Sequence, residues 1–551
     1  MGRWPMNLSR WIEQAVSSSG ATEACRTIEL RRRADAFADA RLLFDRADWA
    51  FTPAGRDLLD VLRKSPEVAV VEARRAALSL RFDDGVVEAL GERLESGEDA
   101  ALDGDDLLAG EKYMVGFVGP NTSKALHVGH LRNIAVGHAL ASAYAAAGAQ
   151  VIRQSLVGDI GRSTCEAMAG LQLRPNDAPE PRGLKPDHFV GACYAEYVRE
   201  GRAGVDGAAD PVSREVSAGE DAADRLMRAW RAGDPEAHAL WHRMRGWTLE
   251  GHRVTLERLG VRIDHCDFES DAMGDIDALL DRGLGEGILA RGAAGEVTYE
   301  SGRAELSTMV LARSDGFPTE HARLLAVLLR MEAARRGRYT CIDLVGSEWQ
   351  PTSALHEELL RKLRPEGDHD SHQHVFHGMV TASLSKISSA QGTALLIDDL
   401  LDRLVEEPRV RAIAALAGGA VDAATIAAIV AKGYFLCRPV AKPMEFSWEH
   451  LLERERSPGW AIASAWSKAA SEPVSSRAAE ASRAERRLLV VRAQDFRRSL
   501  RHATGEPSIS ALTSYLQHVC DVVLAASEEP RYARLARSVL RTTMGSLGLL
   551  P

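Results

Sequence analysis

The most constraining feature of this chain is a change of hydrophobic period between residues 112 and 159. KYMVGFVG (112–119) is an apolar, β-prone run. A loop containing Pro120 and Asn121 follows, and from His127 the period becomes helical. Leu131, Ile134, Ala135 and Ala139 share one face, and Gly148 is placed to stop the helix. VIRQSLVGD (151–159) is strand-like again. Strand, loop, helix and strand in so short a span predict a βαβ unit and a parallel sheet. The rhythm breaks over about 162–298, which is helical and loop-like with a proline-rich stretch and has the character of an insertion. It resumes with TMVLARSDG as a strand, a helix from TEHARLLAVLLRMEAARRG with Thr319 as N-cap, and YTCIDLVGS as a strand.

The flanks differ from this centre. VAVVEARRAALSLRF (68–82) alternates as strands do, DGVVEALGERL follows as a short helix, and 103–111 is an acidic linker. Beyond Glu445 the pattern is almost wholly helical, with an Ala/Ser/Glu-rich segment at 468–487 that suits a mobile helix or a linker. The expected division is an α/β segment 1–105, a Rossmann-like α/β segment 106–455 carrying the insertion, and an all-α segment 456–551.

With 551 residues, 26% of them charged, the chain is globular material sufficient for several domains. Its net charge of −10 argues against a generally basic nucleic-acid coat, but not against a local basic surface. Seven scattered cysteines without a CxxC pair predict reduced thiols and no structural zinc site. MGRWPMNLSRW lacks the apolar run of a signal peptide, and the tract 412–435, cut by Asp422 and Lys432, suits a buried helix rather than a membrane span. A cytoplasmic monomer is expected, with no membrane partner.

The loop PNTSKALHVGHLRN (120–133) carries the chemistry. A helix N-terminus offers free N–H groups and partial positive charge, which suits phosphate. Gly129 lets a flat base approach the backbone. His127 and His130, three residues apart, can both donate hydrogen bonds to phosphate oxygens. The two commonest nucleotide-binding loops, G-x-x-x-x-G-K-[ST] and G-x-G-x-x-G, are absent.

PNTSKALHVGHLRN resembles the HIGH signature of class I aminoacyl-tRNA synthetases in its arginyl-tRNA synthetase form. QVIRQSLVGDIGR resembles the strand and turn after the HIGH helix, and LKPDHFVG and GVRIDHCDFESD resemble the connective insertion. HVFHGMVTASLSKISSAQGT is similar to the region of the KMSKS loop, and EPSISALTSYLQHV with YARLARSVLRTTMGSLGLL is similar to the helical anticodon-binding domain. The resemblance implies a class I Rossmann-like domain, ATP with Mg²⁺, aminoacyl-adenylate formation, and transfer of the acyl group to the 3′ end of a tRNA, by kinship an arginine tRNA. It implies that His127, His130, Gly129, Lys386 and Ser388 bind ATP. Lys124, just upstream of the signature, would replace the second lysine missing from Lys386-Ile387-Ser388. No resident metal site within the protein is implied.

The amino-acid pocket departs from the family. Asn121, Asp159, Phe317, His321 and Gln350 fall at pocket positions, with Trp349 competing with Gln350 for one of them. Where the family brings a glutamate and serines, this chain has Gly116, Val118 and Gly119. Gly158 replaces an asparagine, and Phe317 and His321 stand for a tyrosine and an aspartate. A buried guanidinium deprived of its carboxylate costs about 3–5 kcal/mol. Either Glu320, Glu348 or Asp315 takes over, or the substrate is not arginine. In the helical segment, Trp460 and Trp466 of SPGWAIASAWSK are expected in the core, with aromatic surface offered to a nucleic acid as the alternative. Three readings follow: an arginyl-type aminoacyl-tRNA ligase, a paralogue delivering another activated acyl group to a non-canonical acceptor in specialised metabolism, and a non-catalytic tRNA- or protein-binding module.

Overall fold

A computed structural model describes residues 7–30, 38–97, 102, 104–174, 177–202, 221–302, 308–335, 339–364, 371–382, 385–386, 395–453, 455–471, 481–526 and 530–550. Near the start, β1 (Cys25–Leu30), β2 (Ala40–Phe44), β3 (Val68–Arg74) and β4 (Ala77–Phe82) form an antiparallel sheet in the order β1-β2-β4-β3. VAVVEARRAALSLRF thus becomes a hairpin, turned at Arg75 with φ of 47°. The expected short helix is Asp84–Glu95, capped by the Asp83 side chain.

The central sheet is parallel. It contains β5 (Lys112–Val118), β6 (Gln150–Val157), β7 (His265–Phe268), β11 (Thr340–Gly346) and β12 (Ser371–His377), in the order β12-β11-β5-β6-β7. The chain runs outward from β5 through β6 to β7, then returns to the other side of β5 for β11 and β12. The strand order therefore reverses beside β5, and in open α/β sheets ligands bind at such a switch point.

Two expectations about this region are corrected. The irregular stretch 162–298 is not wholly an insertion, because β7 lies within it and pairs in parallel with β6. A four-residue strand at a sheet edge is too short to give a periodic signal. TMVLARSDG does yield a strand, β10 (Met309–Ala312), but it pairs with β9 (Val297–Tyr299), which in turn pairs with β8 (Ala290–Arg291), in a separate antiparallel sheet. Thr319 precedes the helix Glu320–Arg335 as expected, and its hydroxyl donates to Val310 O at 2.7 Å, tying that helix to β10.

The helix Val128–Ala146 is buried on nearly every side, not on one face. It lies between the central sheet and the helices Ala423–Leu436 and Phe496–Gly505. Gly148, φ +91°, ends it, and a Cβ there would stand 1.8 Å from Asp105 O. Arg132 in its second turn is fully buried. Its guanidinium donates to Gly378 O (2.6 Å), Pro439 O (2.9 Å) and Val440 O (3.0 Å).

The apolar tract 412–435 is two helices, Pro408–Leu416 and Ala423–Leu436. Gly418 and Gly419 have positive φ, and the Asp422 side chain caps the second helix through Thr425 N. Lys432 is buried and donates to Gly548 O at 2.7 Å; burial pushes its amine down to about 7. Trp460 and Trp466 are core residues, 2% and 9% exposed, and offer no aromatic surface. Residues 472–480 of the Ala/Ser/Glu-rich segment lie outside the described residues.

The helix Asp84–Glu95 packs on the C-terminal helices Ala481–Ala493 and Pro530–Gly545, and arginines line that junction. Arg486 pairs with Glu95 and Glu88, Arg487 with Asp39 and Asp84, and Arg497 with Asp106. The acidic linker is thereby pinned rather than free. All seven cysteines are free thiols, and no described helix is long and apolar enough to cross a membrane.

Replacing Arg132 by leucine removes its charged hydrogen bonds to Gly378 O, Pro439 O and Val440 O, although Pro439 O and Val440 O keep Lys442 N and Gly378 N as donors; a hydrogen bond to a charged group contributes about 1.5–3 kcal/mol. The variant is expected to unfold several degrees earlier in a thermal melt. An unchanged melting temperature would show that water reaches those carbonyls.

Candidate active site

The loop after β5 and the loop after β6 are zipped together. Thr122 N donates to Gly158 O (3.0 Å) and Gly158 N donates to Pro120 O (3.1 Å). A Cβ on Gly158 would meet Asn121 Oδ1 at 2.3 Å, so the asparagine side chain needs a glycine opposite it. The helix Pro235–Arg258 braces the loop from outside. Thr248 Oγ1 donates to Thr122 O (3.0 Å), and His252 Nε2 lies 2.8 Å from Lys124 O.

His127 is the N-cap of the Val128–Ala146 helix. Its Nδ1 accepts from Gly129 N at 3.1 Å, while its own N–H donates to His130 Nδ1 at 3.1 Å. This is a capping box built from two imidazoles. The rings stack at 3.9 Å between centroids. Because both Nδ1 atoms accept from the backbone, each neutral ring keeps its proton on Nε2. Burial, with Lys124 nearby, lowers His127 to about 3, and burial with His127 and Lys124 beside it holds His130 well below 6.5. The pair is a set of two neutral Nε2–H donors at a helix N-terminus.

The second signature region reaches the same place. Val128 N donates to Leu395 O (2.9 Å), and Ile397 N donates to Leu126 O (3.0 Å), so His127 and Leu396 form a β-bridge. On the other flank, β14 (Ser385–Lys386) pairs antiparallel with β13 (Val380–Ala382), which pairs in parallel with β15 (Met444–Phe446). The backbone of Lys386 and that of Leu395 therefore bracket residues 387–394. Ser388 lies outside the described residues.

A cavity of about 490 Å³ opens at the switch point. Gly116, Val118, Gly119, Asn121 and Gly158 form one wall, and Trp349 lines it while the exposed Gln350 does not. Of the three acids proposed to replace the lost carboxylates, Glu320 lines the cavity; Glu348 and Asp315 are exposed and do not. Asp159, Phe317 and His321 also lie off its lining. Asp159 is fully buried. Burial pushes its carboxyl up against the pull of Ser270 N (2.9 Å), Ser270 Oγ (2.7 Å) and Arg245 Nε (2.8 Å). Phe317 is buried beneath the Arg231 guanidinium.

Sequence reading missed three acids on this lining: Glu269, Asp343 and Glu357. Asp343 explains Gly116, since a Cβ at 116 would sit 2.6 Å from Asp343 Oδ1. The carboxylate comes from the neighbouring strand instead of from β5. Glu269 is 4% exposed and already bound to a cation of the chain itself, Arg323 Nε at 2.7 Å. Strand alternation within β11 could have aimed Asp343 at a face; nothing local could have paired Glu269 with Arg323.

Residues 101–416 match the family model described as "tRNA synthetases class I (R), catalytic domain". The chain is 30% identical over 350 residues to an arginine–tRNA ligase of Amoebophilus asiaticus, covering 60% of this chain and 57% of that one. It is 31% identical over 298 residues to one of Treponema pallidum, covering 54% and 48%. The chain spans about half the length of the curated relatives it matches. In fold it is similar to the arginyl-tRNA synthetase of Thermus thermophilus (TM-score 0.65, 22% identity, 99% of both chains). It is also similar to that of Plasmodium falciparum (TM-score 0.63, 13% identity, 99% of this chain and 98% of that one).

Burial depresses His127, His130, His138, His252, His356 and His377. In the unfolded chain these rings protonate near 6.5. Between that value and the folded values, which reach about 3 for His127, the unfolded state binds more protons. Stability from these rings is complete above pH 6.5 and falls as pH drops. The urea midpoint at pH 5.5 is expected to lie below that at pH 7.5; equal midpoints would mean the rings protonate in place without penalty.

Proposed function

Because the matched residues make up more than half of it, the chain belongs to the family of class I (R) tRNA synthetase catalytic domains, and on that premise we propose an aminoacyl-tRNA ligase of arginyl type. In this reading it joins an amino acid to ATP as an aminoacyl-adenylate, releases pyrophosphate, and transfers the acyl group to the 3′-terminal ribose of a tRNA. The observation that carries it is the neutral imidazole pair at the helix N-terminus. The amino-acid carboxylate attacks the α-phosphorus, and negative charge shifts on to the phosphate oxygens. Two fixed Nε2–H donors and the helix dipole meet that charge without having to reorganise. Gly129 leaves room for the adenine, Lys124 and Lys386 neutralise the departing pyrophosphate with Ser388 assisting, and Asn121 holds the backbone of the amino acid. Mg²⁺ arrives on the ATP phosphates, since such ions keep most of their ligands from phosphate and water. Residues 1–105 and 456–551 serve as the tRNA-contacting and anticodon-binding-like segments around the catalytic segment 106–455.

For the side chain, Glu320 is the acid of the three first considered that lines the cavity, and it is the one to meet a guanidinium. One observation favours a second reading, a paralogue with a changed pocket. Glu269 is occupied by Arg323, so this buried carboxylate is spent on the chain's own guanidinium. A substrate guanidinium left unpaired would lose about 3–5 kcal/mol, a hundred- to several-thousand-fold in binding.

The test is charging of total tRNA by the purified protein with each of twenty radiolabelled amino acids, ATP and Mg²⁺. Arginine charging supports the first reading, and charging with another amino acid the second. ATP use with an amino acid but no charging points to a non-tRNA acceptor, and inactivity throughout defeats both. Whichever amino acid is used, His130→Asn is expected to lower kcat/KM for adenylation by about 10²–10³-fold. Because His321 lies off the lining, the pocket is tested at Glu320: Glu320→Gln is expected to weaken arginine use about a hundred-fold or more, and an unchanged KM for arginine would count against Glu320 as the guanidinium's partner.

A further inference from the structure

The cavity's edge at β12 carries a second cluster of chemistry-bearing residues that the ligase reading does not use. Side chains alternate along a strand, so His372 and His374 of β12 fall on one face. On β11 the register partner of His374 is Asp343, whose Oδ2 lies 3.3 Å from His372 Nδ1. Donor atoms of these three residues all lie within 4.8 Å of one another. The helix Gln350–Leu363 contributes Glu357, 2.9 Å from His374 Nδ1, and His356. His356 lines the same cavity, is 4% exposed, and its Nε2 has no hydrogen-bond partner. A purely structural polar wall satisfies its buried atoms. This one leaves a buried imidazole nitrogen over.

The charge balance separates this cluster from the other one of similar composition. Asp187, His188 and Asp398 also lie close together, but Lys185 and Arg258 bind Asp398 at 2.8 and 2.7 Å and supply the positive charge. Among the described residues, neither Asp343 nor Glu357 is paired with a lysine or an arginine. Their partners are the two histidines.

We propose that Asp343, His372 and His374 bind one divalent transition-metal ion of the zinc type, with Glu357 as the carboxylate that orients His374. Two imidazoles and one carboxylate suit Zn²⁺ better than Mg²⁺, which takes oxygen ligands. Donors around tetrahedral zinc stand about 3.3 Å apart at bond lengths near 2.0–2.1 Å, so modest side-chain rotations close the site. A carboxylate on the second nitrogen of a metal-bound histidine is the usual orienting partner. Three protein ligands leave a position open to the cavity, where His356 is available to a group bound on the ion.

The experiment needs neither ATP nor tRNA, so its result is independent of the ligase reading. The full chain is freed of metal with a chelator and titrated with Zn²⁺ by calorimetry. One equivalent is expected at sub-micromolar Kd, weakened about 100-fold by His372→Asn or His374→Asn. Co²⁺ added to the unaltered chain is expected to give the intense visible absorption of a four- or five-coordinate ion, which decides the matter even if a variant fails to fold. Absence of saturable binding, equal affinity in folded variants, or the weak spectrum of hexa-aqua cobalt would each overturn the proposal.

Discussion

Two backbone hydrogen bonds, Val128 N to Leu395 O and Ile397 N to Leu126 O, join segments far apart in the chain at the place where the chemistry is proposed to occur. Everything around the histidine pair depends on that splice. The helix Val128–Ala146 is buried on nearly all sides, so its N-terminus has little freedom to move. Arg132, one turn in, ties the same helix to Gly378, where the chain enters the second signature region, and to Pro439 and Val440, ahead of β15. A fully buried guanidinium keeps its charge here because three carbonyl oxygens replace its hydration, although burial lowers it to about 10.

The cavity shows how a pocket keeps polar chemistry while its residues change. A glycine at 116 looks like the loss of a functional side chain. In three dimensions it is the space into which Asp343 projects from the adjacent strand. Glycine at 158 likewise makes room for Asn121. The Glu269–Arg323 pair works the other way, withdrawing a carboxylate that a reader of the lining alone would count as available. Burying two opposite charges is tolerable only as a pair, which ties any change at one of these positions to the other.

The central elements were legible because their hydrophobic period is strong. The β5 run, the helix after it and β6 were each visible in local pattern, as were the loop between them and the role of Gly148. The short edge strand β7, the removal of β10 to a separate sheet, and the split of 412–435 at Gly418 and Gly419 were not. Short strands carry too few residues for periodicity to register, and sheet membership is settled by partners distant in sequence. Trp460 and Trp466 were expected in the core and are buried there, as an aromatic pair on a largely apolar helix should be.

By itself the sequence determined that a strand-loop-helix turn presents two histidines around a glycine, because those features rest on local backbone preference and three-residue spacing. It also determined the kinship of that turn. The tertiary structure alone decided that both Nδ1 atoms are held by backbone N–H groups, that Leu395 lies against Val128, and that Asp343 meets His372 and His374 beside the cavity. Those are contacts between strands and loops separated by tens to hundreds of residues, and only the closing of the sheet brings their atoms within reach of one another.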